Sequence, residues 1–136
     1  MPFRVVYKIY SEVVLGIEIP LATEIGAGLT IYHGRGIVIN SGSKLGESVV
    51  LRQNVLIGSR RTNSDCPVVG DFVEFGAASM ALGEIEIGEN CRIGAGAVVT
   101  KDVPAGSTMV GNPAYVAKPG RQDTPTIETK VSGNDD

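Results

Sequence analysis

The sequence predicts an all-β repeat fold, one chain wound into a coil of short rungs that bury their core between neighbouring turns. Three observations carry this. Small aliphatic residues recur at every sixth position over most of the chain. The residue after them is repeatedly glycine, at Ile25-Gly26, Leu45-Gly46, Ile57-Gly58, Val69-Gly70, Ile87-Gly88 and Ile93-Gly94. A period of six fits neither an amphipathic helix, which repeats near 3.6, nor an alternating strand, which repeats at about two. The composition agrees: 18 glycines, no tryptophan and 5% aromatic residues in a chain of 136 suit tight coils that admit only small branched side chains.

Taken in chain order, residues 1–16 are expected to form a capping helix. Phe3, Val6, Tyr7, Tyr10, Val13 and Val14 fall at helical intervals with Arg4, Lys8 and Glu12 between them. The apolar face would cover the open first coil, as a solenoid requires of its ends; an edge strand or the remnant of a longer helical region are the competing readings. The coil itself is expected over residues 17–118. Its inward register runs Ile19, Ile25, Ile31, Ile37, then slips by two residues around His33 and continues at Ile39, Leu45, Leu51 and Ile57. It resumes at Val69, Phe75, Ala81, Ile87, Ile93 and Val99, so the polar run in 59–68 reads as a loop extruded from the coil without disturbing the stack.

A second inward column, two residues before the first, comprises Val49, Val55, Val73, Ser79, Ile85, Cys91, Ala97 and Val103. Cys91 therefore reads as a small buried hydrophobe. Pro104 ends the winding. Residues 119–136 hold too few apolar side chains to offset the entropy of ordering, and are expected to be a disordered tail.

A net charge of −3 without a basic cluster argues against nucleic acid as a partner. Two cysteines without CxxC spacing or secreted-scaffold density point to a reducing cytoplasm and no disulfide. Arg4, Lys8 and Glu12 interrupt the N-terminal apolar stretch, leaving no membrane span or signal-peptide core.

The one histidine, His33, lies where the register slips. Gly34 and Gly36 would leave open space beside its ring. Glu18, fifteen residues earlier and so about one coil back, could accept a hydrogen bond from one ring nitrogen, since neighbouring rungs lie about 4.8 Å apart. The other nitrogen could then take a proton from an alcohol, a contribution of about 10² to 10⁴ in rate. One histidine cannot supply the ligand set of a zinc site, so no metal is expected.

The stretch from Ile17 to Ala117 resembles the left-handed β-helix acetyltransferases of the hexapeptide-repeat class, and within it the serine acetyltransferase branch. The strings that carry the resemblance are IEIPLATEIGAGL, HGRGIVI, DCPVVGD, EIEIGENCRIGAGAVVTKDVP and VGNPA. It implies a single-stranded left-handed parallel β-helix assembled as a homotrimer, with acetyl-CoA in the cleft between two chains. It also implies His33 as general base and Glu18 as the acid that orients it. Acetyl-CoA would run along the coil corners at Gly58, Ser59, Gly76, Ala77, Gly94 and Ala95, with Lys101 and Lys118 near its phosphates.

Two departures bear on the acceptor. Serine acetyltransferases carry Asp-His where this chain has Tyr32-His33, and Arg-His-Pro where it has Asp65-Cys66-Pro67. Both amino-acid handles are thus replaced, and Tyr32, Asp65 and Cys66 become acceptor-binding candidates better suited to sugar hydroxyls. Cys66 admits three roles: a wall residue, a weak proton relay or an acetyl-carrying nucleophile. With Asp65 adjacent, the local charge disfavours a thiolate, so direct transfer is expected. The expected activity is O-acetylation of an exopolysaccharide or cell-surface glycan precursor. Serine O-acetylation for cysteine synthesis and a non-catalytic β-helix scaffold are the alternatives.

Overall fold

The computed structural model describes residues 2–120. Its strands are two to four residues long and stack in three sheets that form the walls of a prism. Sheet A stacks β1 (Ile17–Glu18), β4 (Ile37–Ile39), β7 (Leu56–Gly58), β10 (Met80–Leu82) and β13 (Val98–Val99). Sheet B stacks β2 (Glu24–Ile25), β5 (Lys44–Leu45), β8 (Val68–Val69) and β11 (Glu86–Ile87). Sheet C stacks β3 (Thr30–Ile31), β6 (Val50–Leu51), β9 (Glu74–Phe75), β12 (Arg92–Ile93), β14 (Thr108–Val110) and β15 (Tyr115–Lys118). All pairings are parallel except β14 with β15, which folds back and closes the C-terminal end. The chain is thus a β-solenoid, as the period of six predicts.

Strand register measures each coil. Met80 lies beside Val98, and Glu86 beside Val68, eighteen residues apart in each case, which is three hexapeptides. The first coil is longer: Ile17 lies beside Ile37 and Ile31 beside Leu51, twenty residues apart. The extra two residues are the register slip around His33. The second coil is longer still, since Leu45 lies beside Val69, twenty-four residues on; this is the extruded loop. Both expected inward columns are buried, from Val49 and Leu51 through Phe75 and Cys91 to Val99 and Val103.

Cys91 packs in this core and donates its thiol proton to the Pro104 carbonyl at 3.1 Å. Burial pushes its pKa up, so it stays a neutral thiol. Both cysteines are free.

At the N-terminus, helix α1 (Pro2–Lys8) continues as a π-helical stretch, Ile9–Leu15, and ends at Gly16 in the left-handed conformation. Its orientation differs from the sequence reading. Phe3, Val6, Tyr10 and Val13 point to solvent, while Tyr7 and Ser11 turn toward the coil. The reason lies in what an open solenoid end offers a neighbour: backbone groups that require partners as much as apolar surface. The Tyr7 hydroxyl meets one of them, donating to the Ile19 carbonyl at 2.9 Å. Residues 121–136, most of the expected disordered tail, lie outside the described residues.

Candidate active site

Three edges join the sheets. The edge from sheet C to sheet A carries His33 on the first coil, Gln53–Asn54 on the second, Ala77–Ala78 on the third and Ala95–Gly96 on the fourth. Backbone bonds stack these turns directly: Asn54 N–H donates to the Arg35 carbonyl, Ala78 N–H to Gln53, and Gly96 N–H to Ala77, each at 2.9 Å. Gly36, Asn54, Ala78 and Gly96 all adopt positive φ, the conformation that turns this corner; His33 adopts it too, in the slip just before Gly36, and His and Asn are among the residues that enter it most readily. Arg35 and Gly36 therefore head a straight row, and His33 stands beside them in the two-residue slip, where its carbonyl accepts from the Arg35 N–H at 2.7 Å. Below Asn54 the row carries only small side chains, and a Cβ built on Gly96 would meet nothing within 4 Å.

The imidazole is exposed and opens, with Gly34, Arg35, Gln53 and Asn54, into a groove of about 510 Å³. The glycines beside it do not create that space. A side chain on Gly34 would strike Ile31 at 2.7 Å and Ile17 at 2.9 Å, and one on Gly36 would strike the Asn54 carboxamide. They are glycine because the first coil packs closely there. Gln53 and Asn54 are site residues the sequence reading missed; Asn54 could have been found by counting one eighteen-residue coil on from Gly36.

Glu18 lies on the outer face of β1, on the same coil as His33. Among the described residues its carboxylate makes no hydrogen bond or ion pair with the imidazole, and the two side chains open into different grooves. Glu18 lines a groove of about 400 Å³ with Pro20, Val38, Asn40, Gly58, Ser59 and Asn63, at the edge from sheet A to sheet B.

The expected acetyl-CoA residues divide between these edges. Gly76, Ala77, Gly94 and Ala95 lie on the edge that carries His33. Gly58 and Ser59 lie on the other edge, as does Lys101, which follows β13, while Lys118 is exposed on β15. Steric demand separates the glycines. A Cβ on Gly76 would come within 2.5 Å of the Ala95 nitrogen, so the coil alone requires glycine there. A Cβ on Gly58 would make only ordinary contacts at 3.6 and 3.9 Å, so its missing side chain leaves usable room in the Glu18 groove.

The acceptor-binding candidates scatter. Tyr32 is exposed next to His33, with the Arg52 guanidinium 5.6 Å from its ring centroid. Asp65 is spent within its own loop: it accepts bonds from the Arg61 N–H at 3.0 Å, the Thr62 N–H at 2.8 Å and the Thr62 hydroxyl at 3.3 Å. The Thr62 N–H contributes most to holding its pKa below the ordinary carboxylate value, against a smaller opposing effect of burial. Cys66, which the sequence reading places on an outward loop, is instead buried. Its thiol donates toward the Asn63 carbonyl at 3.6 Å and fills the space left by Gly42, whose added Cβ would meet that sulfur at 3.0 Å. It anchors the loop to the corner beneath.

Residues 66–101 match the family model described as bacterial transferase hexapeptide (six repeats). The chain is 41% identical over 116 residues to an Escherichia coli (strain K12) protein named as a colanic acid biosynthesis acetyltransferase, WcaB, covering 85% of this chain and 72% of that one. It is 39% identical over 108 residues to the serine acetyltransferase of Synechococcus elongatus, covering 78% of this chain and 44% of that one. The crystal structure of serine acetyltransferase from Brucella abortus superposes with a TM-score of 0.82 at 28% identity, covering 88% of this chain and 49% of that one. The chain thus belongs to the hexapeptide-repeat acetyltransferase family. It spans about half the length of that serine acetyltransferase structure.

Proposed function

We propose that this protein is an acetyl-CoA-dependent O-acetyltransferase that works as a homotrimer in the cytoplasm and acetylates a sugar hydroxyl of an exopolysaccharide or cell-surface glycan precursor. The observation that carries the reading is His33 exposed in the slip at the first turn of an edge whose third and fourth rungs present backbone and small side chains. Acetyl-CoA supplies an acetyl group activated as a thioester. The track from Ala77–Ala78 to Ala95–Gly96 suits the slender pantetheine arm, and Lys118 is the cation on that side for its phosphates. In the trimer, the opposite edge of a neighbouring chain, with Gly58, Ser59 and Lys101, forms the other wall.

His33 takes the proton from the acceptor hydroxyl as the oxygen attacks the thioester carbonyl; the C–S bond then breaks and CoA leaves as the thiol, receiving that proton from the imidazolium. Glu18, on the same coil, holds the ring once its side chain swings out of its own groove. Backbone N–H groups of the corner turns meet the negative charge that builds on the acyl oxygen. Asp65 and Cys66 shape the loop at the acceptor side, and Tyr32 offers a hydroxyl to the acceptor. Cys66 carries no acetyl group, since its buried thiol lacks the electropositive, accessible setting a nucleophile needs.

The WcaB likeness supports a sugar acceptor. Serine remains the second reading for one reason: Arg35 lines the His33 groove and could receive a carboxylate there. Thiol release from acetyl-CoA, measured with serine and with a panel of free and nucleotide-linked sugars, decides between them. Turnover with a sugar and background rates with serine are expected. Robust serine turnover overturns the sugar assignment, and no heat of acetyl-CoA binding in calorimetry returns the chain to a scaffold.

A further inference from the structure

Two cations on the coil walls are neutralised by a carboxylate one rung away: Lys44 meets Glu24 at 3.8 Å, and Arg92 meets Glu74 at 3.3 Å. Arg52, which follows β6, is half-buried and has no such partner among the described residues. Register sets Thr30 beside Val50 and Val50 beside Glu74, so Arg52 lies level with Tyr32 on one rung and Gly76 on the next. Neither neighbour offers a negative charge. The guanidinium stands over the Tyr32 ring, 5.6 Å from its centroid, and the ring face holds the cation in place without neutralising it.

Arg35 is in the same condition on the other side of His33. It is exposed in the groove of about 510 Å³ and makes no ion pair among the described residues. The residues lining that groove include no carboxylate. Two guanidiniums thus flank the imidazole, Arg52 from the sheet C side and Arg35 from the sheet A side, on rungs about 4.8 Å apart. Guanidinium stays charged at physiological pH, and its fork matches the oxygens of a phosphate.

We propose that Arg35 and Arg52 bind a phosphate of the acceptor, so that the sugar brought to His33 is a glycosyl phosphate or diphosphate. The proposal rests on the sugar reading above and narrows it. An amino acid would need a carboxylate for its ammonium group, and the groove lining holds none. The CoA phosphates lie elsewhere: the small-residue track leads away from His33 toward Ala95–Gly96 and Lys118, which leaves the cations beside the thioester to the acceptor. Gln53 serves the sugar itself. Its carboxamide oxygen is buried with no hydrogen-bond partner, so turning it toward a hydroxyl in the groove breaks no bond at that atom.

Calorimetric titration of the full chain in saturating CoA, with glucose 1-phosphate, UDP-glucose and glucose, tests this. Glucose 1-phosphate is expected to bind at least about tenfold more tightly than glucose, the margin of a charge-assisted bond. Arg35→Gln and Arg52→Gln should each remove most of that margin, and Arg52→Lys, which keeps the charge without the fork, should keep part of it. Arg92→Gln, whose guanidinium is already held by Glu74, should bind as wild type does. Equal affinity for glucose 1-phosphate and glucose, no binding of either phosphorylated sugar, or Arg35→Gln and Arg52→Gln indistinguishable from wild type overturns the proposal. So does loss of CoA affinity in those variants with glucose 1-phosphate binding intact, which gives the arginines to the co-substrate. UDP-glucose binding at least as tightly as glucose 1-phosphate upholds a nucleotide as carrier; glucose 1-phosphate binding alone upholds a carrier without one. The two readings fail separately. Acetylation of free glucose at a rate unchanged by Arg52→Gln sinks the phosphate and keeps the sugar, whereas glucose 1-phosphate binding without any acetyl-CoA binding keeps the anion site and removes the transferase.

Discussion

The regular coils and the two irregular ones divide the molecule by purpose. From Ile37 to Met109, outside the 59–68 insertion, the inward positions are buried at a six-residue repeat, with Ser43, Ser79 and Ser107 as buried polar exceptions. The two extra residues of the first coil and the six of the second contribute nothing to those columns. Yet the longer first coil carries His33, and the extruded loop carries Asp65 and Cys66. In the first coil the core is also thinner, with Ile17, Ile19, Ile25 and Ile31 only partly buried. A repeat can therefore absorb chemistry where its period fails, because the residues inserted there lie outside the two inward columns, even where, like Cys66, they pack against the coil.

That contrast breaks most visibly if one substitution from each class is compared. His33→Asn keeps a residue that tolerates positive φ, so thermal stability should hold while acetyl transfer falls by about 10² to 10⁴. Activity within tenfold of wild type would remove His33 from the mechanism. Phe75→Ala should do the reverse, costing about 3–5 kcal/mol in a denaturant titration through the cavity it leaves, with little change in transfer rate per folded molecule. If both variants lost stability and activity together, the division would be false.

Much of the fold was legible because the coil is quasi-one-dimensional: each inward residue meets its neighbour one coil away, so spacing alone predicts contact. Ile57, Phe75, Ile93 and the loop at 59–68 follow from counting. The helix orientation did not, because apolar positions at helical spacing say which residues share a face and not where that face points. Cys66 was misplaced for a related reason, since its burial depends on the absent side chain of Gly42, brought near by the fold rather than by the sequence. Glu18 and His33 lie fifteen residues apart on a coil of twenty, with the carboxylate on a wall and the ring on an edge, so spacing says less about their pairing than it does for the inward columns.

The glycines sharpen the comparison at smaller scale. Gly76→Ala places a methyl group against the backbone of the next rung and should cost about 1–3 kcal/mol by thermal denaturation. Gly58→Ala meets only ordinary contacts and should stay within about 0.5 kcal/mol of wild type. If acetyl-CoA passes the Glu18 groove, Gly58→Ala will raise its KM without that loss of stability. An unchanged KM would confine the pantetheine to the other edge.

The smallest effect is expected where the loop leaves the coil. Asp65 has its pKa depressed in the folded loop, chiefly by the Thr62 N–H and then by the Arg61 N–H and the Thr62 hydroxyl. A carboxylate of this kind contributes order that is complete above its unfolded pKa and is lost as the pH falls through the lower, folded value. Amide exchange at Arg61 and Thr62 should therefore accelerate in acid while exchange at Ile57 and Phe75 stays slow. Asp65→Asn should make the two loop amides exchange faster at neutral pH and flatten their acid dependence, leaving the thermal midpoint in place. Coil amides that loosened along with the loop would mean that the insertion is part of the stack after all, and that irregular coils are no freer than the regular ones.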